Sequence, residues 1–439
     1  MSERNPLAEV IWKNLDDAGR RAVLERPVQS VQQSLKVAVA GILAQVRAGG
    51  DEALRELTER FDGVRLAALR VTADEIDAAV ASLSDAERAA LTQARDNIRR
   101  FHEAQRRETL SVETMAGVVC EKLVRPVGRV GLYVPGGSAP LPSTVLMLGV
   151  PAQIAGCGVK VLCTPPGRDG RINPWILTAA RLCGIEDVYK IGGAQAIAAM
   201  AFGTPSIPKV DKIFGPGNSY VTEAKLQVAQ EPGGAAFDMP AGPSEVMVIA
   251  DDAADPAFVA ADLLSQAEHG PDSQVMLVCF SSAFAEAVRR EVASQSARLA
   301  RETIVHAALD KSRTVIAASR GEAMEIANAY APEHLILQVR EPRSLLPQVQ
   351  AAGSVFLGAL TPESMGDYAS GTNHVLPTYG YARAYSGLAL ADFERSLSVQ
   401  EVSLAGLRAL GPVVERIASA EGLEAHANAV RLRLEVLGR

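Results

Sequence analysis

The 439-residue sequence predicts an α/β protein: two successive parallel-sheet units with helical segments at both ends. Three observations carry this expectation. Short apolar runs alternate with longer alanine-rich stretches, many of those runs end in glycine-rich loops, and the alternation is confined to the middle of the chain. Strands that alternate with helices fold as β-α-β units on a parallel sheet.

Residues 1–116 read as a mainly helical region. Thr72 with Glu75 and Ser84 with Glu87 form S/T-x-x-E boxes, in which a hydroxyl caps free backbone N–H groups at a helix start. Asp62-Gly63 supplies a turn between helical runs. Residues 117–237 carry the first unit, with strands expected at 129–134, 158–163, 188–191 and 212–214. Pro135-Gly136-Gly137, Gly192-Gly193 and Gly215-Pro216-Gly217 follow strands, and open α/β sheets bind ligands at such carboxyl ends. Residues 238–380 carry the second unit, with strands expected at 246–250, 274–280, 335–339 and 354–357. Two α/β units of similar size invite the idea of an old duplication. Residues 381–439 return to a helical pattern with a long amphipathic run.

At this length the chain exceeds one ordinary core. Its composition is that of a globular protein, with 48% hydrophobic and 22% charged residues. A net charge of −7 offers no footprint for a phosphate backbone, which argues against nucleic acid. Cys120, Cys157, Cys163, Cys183 and Cys279 form no C-x-x-C pair and read as free thiols of a reducing compartment. The polar start Met-Ser-Glu-Arg-Asn-Pro has no signal-peptide core, and apolar stretches such as 145–150 are too short to span a bilayer. A soluble, cytoplasmic protein without a membrane partner is expected.

Four of the six histidines (His269, His334, His374 and His426) sit in segments crowded with carboxylates, amides and glycines. Imidazole titrates near neutrality and is the commonest metal ligand. Gln266 and His269 share one face at the end of an expected helix that Gly270-Pro271 stops. Asp367, in a glycine-flanked loop, and His426 would complete two nitrogens and two oxygens, a plausible tetrahedral zinc site. On spacing alone the metal reading is the weaker one, because glutamine is an uncommon ligand, and hydrogen bonding at a helix end explains the first pair more simply. Glu333-His334 juxtaposes an acid and an imidazole suited to proton transfer, with Pro332 expected to start a helix. An ordinary helix start is the plainer alternative. The loops around Tyr133, Gln195 and Asn218 suit phosphate, but no G-x-G-x-x-G follows a strand. Cys157 and Cys163 offer a rival thiol-adduct chemistry, although apolar buried thiols are usually inert. His102 and His306 read as surface or structural.

Seven segments together closely resemble the histidinol dehydrogenase family. They are Gly131-Leu-Tyr-Val-Pro-Gly-Gly137, Gly192-Gly-Ala-Gln-Ala196, Phe214-Gly-Pro-Gly-Asn-Ser219, Ala241-Gly-Pro-Ser-Glu245, Ser265-Gln-Ala-Glu-His-Gly270, Ala331-Pro-Glu-His334 and Gly366-Asp-Tyr-Ala-Ser-Gly-Thr-Asn-His-Val-Leu-Pro377. Glu421 and His426 close the match. The resemblance implies two incomplete Rossmann-like domains and oxidation of L-histidinol to L-histidine through L-histidinaldehyde with two NAD+. It implies one zinc per subunit on Gln266, His269, Asp367 and, across a homodimer, His426. Ser244 and Glu421 would join those ligands and His334 around the substrate, and Tyr133, Gln195 and Asn218 would contact NAD. Glu333 and His334 would be the acid–base pair. A paralogous zinc/NAD dehydrogenase for another small polar alcohol is the alternative reading.

Overall fold

An apolar strand with helices before and after it can bury both its faces only if each connection crosses over the sheet. The computed structural model describes residues 7–26, 33–136, 140–240 and 242–437. Met1 to Pro6, Gly137 and Ala241, all used in the sequence reading, lie outside the described residues. In chain order the strands are β1 (Ala8–Ile11), β2 (Leu110–Met115), β3 (Val118–Pro126), β4 (Arg129–Tyr133), β5 (Val159–Thr164), β6 (Asp187–Lys190) and β7 (Lys212–Phe214). They continue with β8 (Ala236–Phe237), β9 (Glu245–Ala250), β10 (Gln274–Cys279), β11 (Arg313–Ile316), β12 (His334–Gln338), β13 (Ser354–Leu357) and β14 (Glu394–Val402).

The first unit is a parallel sheet in the order β6-β5-β4-β7-β8. Numbered within the unit, this is 3-2-1-4-5, a Rossmann order lacking its sixth strand. Helix Pro142–Ala155 covers one face and helices Gly193–Phe202 and Ser219–Gln230 the other. The N-terminal helices divide between these faces: Ala73–Ser82 and Asp85–Glu103 join the first, and Gln33–Asp62 the second. Both expected capping boxes are formed, and Gly63 turns the chain after Asp62 with φ +70°.

The second unit repeats the topology. Its parallel sheet runs β1-β11-β10-β9-β12-β13, again 3-2-1-4-5 within the unit, with β1 added at the edge. The strand β1 departs from the helical reading of the N-terminus. Four residues are too few for a periodic signal, and β1 is a strand only because β11 offers it a parallel edge. The third sheet is also new: β14-β3-β2 pair antiparallel. The chain after Tyr381 is therefore not purely helical, because β14 precedes helices Leu404–Ala420 and Glu424–Leu437. Its pairing with β3 joins segments remote in sequence, which no local pattern reports. Among the described residues no helix is long and apolar enough to cross a membrane.

Candidate active site

The chemistry-bearing residues of the second unit gather at the amino ends of β9 and β12, which are neighbours in its sheet. The chain leaves helix Arg320–Tyr330 through Ala331, whose φ of +54° turns it sharply into Pro332 and Glu333. The expected helix at Pro332 is replaced by β12, which begins at His334. The three apolar residues that follow, Leu335 to Leu337, pair on both sides, with β9 and β13, and strand pairing outweighs a proline start signal.

Both residues of the pair are held by one peptide segment. The backbone N–H of Glu245 donates to Glu333 Oε2 at 2.8 Å, and the Glu245 carbonyl accepts from His334 Nδ1 at 3.0 Å. That fixes Nδ1 as the protonated nitrogen and leaves Nε2 facing Asp367 Oδ1 at 3.5 Å, the outer limit of a hydrogen bond. Burial pushes the Glu333 carboxyl up to about 8, against the pull of His334 and the Glu245 N–H. For His334, burial opposes the charged form, but the Glu363, Glu333 and Asp367 carboxylates outweigh it and raise the pKa well above the ordinary value. A cation held by those carboxylates weakens that pull.

Such a cation has donors waiting. Ligand atoms of His269, Glu363 and Asp367 lie within 4.8 Å of one another, and His269 Nε2 is 3.9 Å from Asp367 Oδ2. Helix Pro256–Ala267 delivers the fully buried Gln266 and, just past its end, His269. With its amide nitrogen turned toward Glu363, Gln266 donates to both carboxylate oxygens. Asp367 stands in the short helix Glu363–Tyr368, not in the expected loop, one turn after Glu363. Burial and the neighbouring Asp367 and Glu333 carboxylates drive Glu363 well above its ordinary value, with His334 opposing. Crowded carboxylates beside a partly open imidazole suit zinc.

The first unit carries a cleft of its own. Tyr133, Gln195 and Asn218, expected to bind one ligand, line a single cleft of about 1090 Å³ at the carboxyl ends of its strands. Tyr133 ends β4, its hydroxyl accepts from Gly193 N–H at 3.0 Å, and burial raises its pKa to about 12. Asn218 caps helix Ser219–Gln230 through Val221 N–H. Glycine is required at 215, where φ is +120° and a Cβ would lie 2.0 Å from the Tyr133 carbonyl. Lys225 and Asp238, paired at 2.5 Å in the interior, bind the Gly215 carbonyl and N–H from either side. His374 ties the two units: Nδ1 donates to the Asp367 carbonyl at 2.8 Å, and Nε2 lies 3.2 Å from Thr144 Oγ1.

Ser244 is half-buried directly before Glu245. Glu421 and His426 are different. Both are exposed at the C-terminal helical hairpin, and His426 is absent from the His269–Glu363–Asp367 group. The sequence reading missed Glu363, whose four-residue spacing from Asp367 was the available signal, and gave no role to Glu245, although it closes the Ala241–Glu245 segment. The thiol alternative loses ground, since Cys157 is buried, donates to the Phe393 carbonyl, and is raised to about 11. His102 is a fully buried structural histidine bonded to the Ile98 carbonyl.

A buried Glu333–His334 pair beside a cluster of possible metal ligands, with an open cleft on a neighbouring Rossmann-like sheet, is the architecture of an α/β enzyme. The family model described as histidinol dehydrogenase matches residues 24–434. Histidinol dehydrogenase of Vibrio cholerae serotype O1 is 58% identical across 98% of both chains. That of Xanthomonas campestris pv. campestris is 60% identical across 97% of this chain and 98% of its own. The crystal structure of histidinol dehydrogenase from Elizabethkingia anophelis superimposes with a TM-score of 0.94 at 48% identity, covering 99% of each chain. The chain belongs to the histidinol dehydrogenase family, NAD-dependent oxidoreductases acting on CH–OH groups in histidine biosynthesis.

The Glu333 environment has a measurable consequence in metal-free protein. Its folded pKa of about 8 exceeds the ordinary 4.5, so its stabilising contribution is complete below pH 4.5 and is lost as pH rises through about 8. Glu333→Gln removes that loss. Urea unfolding across this range should show a shallower pH dependence for the variant, and parallel curves would refute the assignment.

Proposed function

We propose that the chain oxidises L-histidinol to L-histidine through L-histidinaldehyde, with two NAD+ consumed and one zinc per subunit, in a homodimer whose active sites are shared. The observation that carries this reading is the Glu245 segment, which presents Glu333 and His334 together beside His269 and Asp367. Gln266, His269, Asp367 and the partner subunit's His426 would hold the metal. When bound, zinc would orient the imidazole and amino nitrogens of the substrate. Tyr133, Gln195 and Asn218 would hold NAD+, the hydride acceptor in each step, in the cleft of the first unit.

His334 Nε2 takes the hydroxyl proton while the carbinol hydrogen leaves as hydride, which yields the aldehyde. Glu333, whose carboxyl is pushed up to about 8, then takes a proton from water as the water oxygen adds to the aldehyde carbon, and His334 returns the proton it took in the first step to the aldehyde oxygen. His334 deprotonates the resulting hydrate as the second hydride leaves, and the carboxylate forms. Ser244 and the partner's Glu421 would complete the pocket around a substrate held throughout, which keeps the aldehyde from reacting elsewhere.

The dimer reading rests on exposure. In one chain His426 and Glu421 face solvent, and Val413, Ile417, Leu432 and Val436 of the same hairpin leave apolar surface uncovered. His269 is itself 44% exposed, open toward a further ligand. The five unpaired cysteines fit a cytoplasmic setting.

The reading is tested by NADH yield. Zinc-loaded protein should form about two NADH per L-histidinol and stop on chelation, whereas no turnover would move the substrate to another small polar alcohol. Glu333→Gln should spare the first oxidation and cripple the second; equal loss in both would refute the division of roles. Mixing inactive His426→Asn and inactive His334→Asn subunits should restore roughly a quarter of wild-type activity, because a random mixture leaves half the dimers with one intact site. Failure to complement after subunit exchange would place His426 in its own chain's site.

A further inference from the structure

Arg26 lies far from Glu333 in sequence and follows helix Asp17–Leu24 in the N-terminal region. Its guanidinium is inserted where β9 and the Ala331 turn meet. The Nε and Nη2 groups donate to the two Glu245 carboxylate oxygens at 2.5 and 2.8 Å, a bidentate fork. The same Nη2 donates to the carbonyls of Tyr330 at 2.9 Å and Ala331 at 3.3 Å. The guanidinium carbon also lies 4.0 Å from the centre of the Tyr330 ring. The side chains of the pair are 11% and 2% exposed, so water competes little for these bonds.

These contacts bracket the acid–base pair on both sides. One side is Glu245, whose N–H holds Glu333 and whose carbonyl holds His334. The other is the Tyr330–Ala331 turn, whose left-handed Ala331 sets the direction in which the chain enters Glu333. Tyr379 N–H adds a third bond to Glu245 Oε1 at 3.0 Å, which leaves the carboxylate little freedom. No bond from Arg26 to Glu333 or His334 is formed among the described contacts.

We propose that Arg26 is a positioning residue for the acid–base pair, acting through the Glu245 carboxylate and the two carbonyls before Glu333. The proposal rests on the roles given above to Glu333 and His334. Lysine cannot replace the fork, because one ammonium cannot bond both carboxylate oxygens and the carbonyls in the same plane. The guanidinium sets where two proton-transferring groups stand relative to each other. An ångström of drift in such groups costs on the order of 10²-fold in rate.

The two oxidations report this differently. The first needs His334 alone, and the second needs Glu333 and His334 together. Loss of folded protein lowers both by one factor, whereas displacement of the pair lowers the second more. The experiment measures NADH formation from L-histidinol and from L-histidinaldehyde separately, with zinc content and thermal melting, for wild type, Arg26→Met, Arg26→Lys and Arg26→Met/Glu245→Gln. The double variant leaves no carboxylate stranded in the interior. Alcohol oxidation is expected to fall on the order of 10-fold and aldehyde oxidation on the order of 10²-fold, with Arg26→Lys between these values and wild type. An unchanged ratio of the two rates in whichever variants remain folded overturns the proposal. Arg26→Lys keeps the charge and carries the decision if the methionine variants do not fold. Absence of histidinol oxidation by wild type would instead sink the functional reading, a separate result.

Discussion

The peptide segment of Glu245 is the constraint on which the site depends. Its N–H and carbonyl point at Glu333 and His334, so the acid–base pair is registered against the main chain of β9 rather than against other side chains. Backbone groups at the start of a paired strand have no rotamers to lose, which makes them stiffer supports than a long side chain. The carboxylate of the same residue faces the other way and binds Arg26. A buried ion pair is expensive to break, about 3–5 kcal/mol, since one charge is left alone in the interior. One residue thus connects the N-terminal region, the central strand of the second sheet and the reacting groups.

The two units use opposite ends of the same topology. In the first, the ligand cleft lies at the carboxyl ends of the strands, beside the switch point between β4 and β7, as open sheets ordinarily arrange it. In the second, the donors gather at the amino ends of β9 and β12. The reversal follows from the crossover helix: Pro256–Ala267 runs back along the sheet and delivers Gln266 and His269 at its end. His374 then spans from Asp367 to Thr144, near the start of the helix that follows the cleft segment at Pro140. The donor cluster of one unit and the cleft of the other are thereby joined through one histidine.

The electrostatics of the second site are strained by themselves. Glu333, Glu363 and Asp367 crowd around one imidazole, and burial raises two of the three carboxyl groups. In a low-dielectric setting such crowding is tolerated when a cation or shared protons offset it. Interior pairs elsewhere do comparable work on geometry: Lys225 and Asp238 hold Gly215 in a conformation that the adjacent Tyr133 carbonyl leaves open only to glycine.

Local chemistry determined much of this from sequence alone. Apolar runs gave four of the five strands in each unit, missing β8 and β11, capping boxes gave two helix starts, and His269, His334 and His374 marked segments that the fold gathers around Asp367. Local patterns could not supply what depends on partners far along the chain. The strand β1 exists because β11 has a free edge, and β14 because β3 lies beside it. Pro332 looks like a helix start until β9 and β13 claim the residues after it. Arg26 and Glu363 carry no motif of their own, Glu245 only closes one, and the fold alone brings the three to Glu333, His334 and Gln266. Sequence specified which groups were present, since residue type and short-range spacing are properties of the chain. Tertiary structure decided which of them meet, because hydrogen bonds and charge interactions act over a few ångströms of space regardless of separation along the chain.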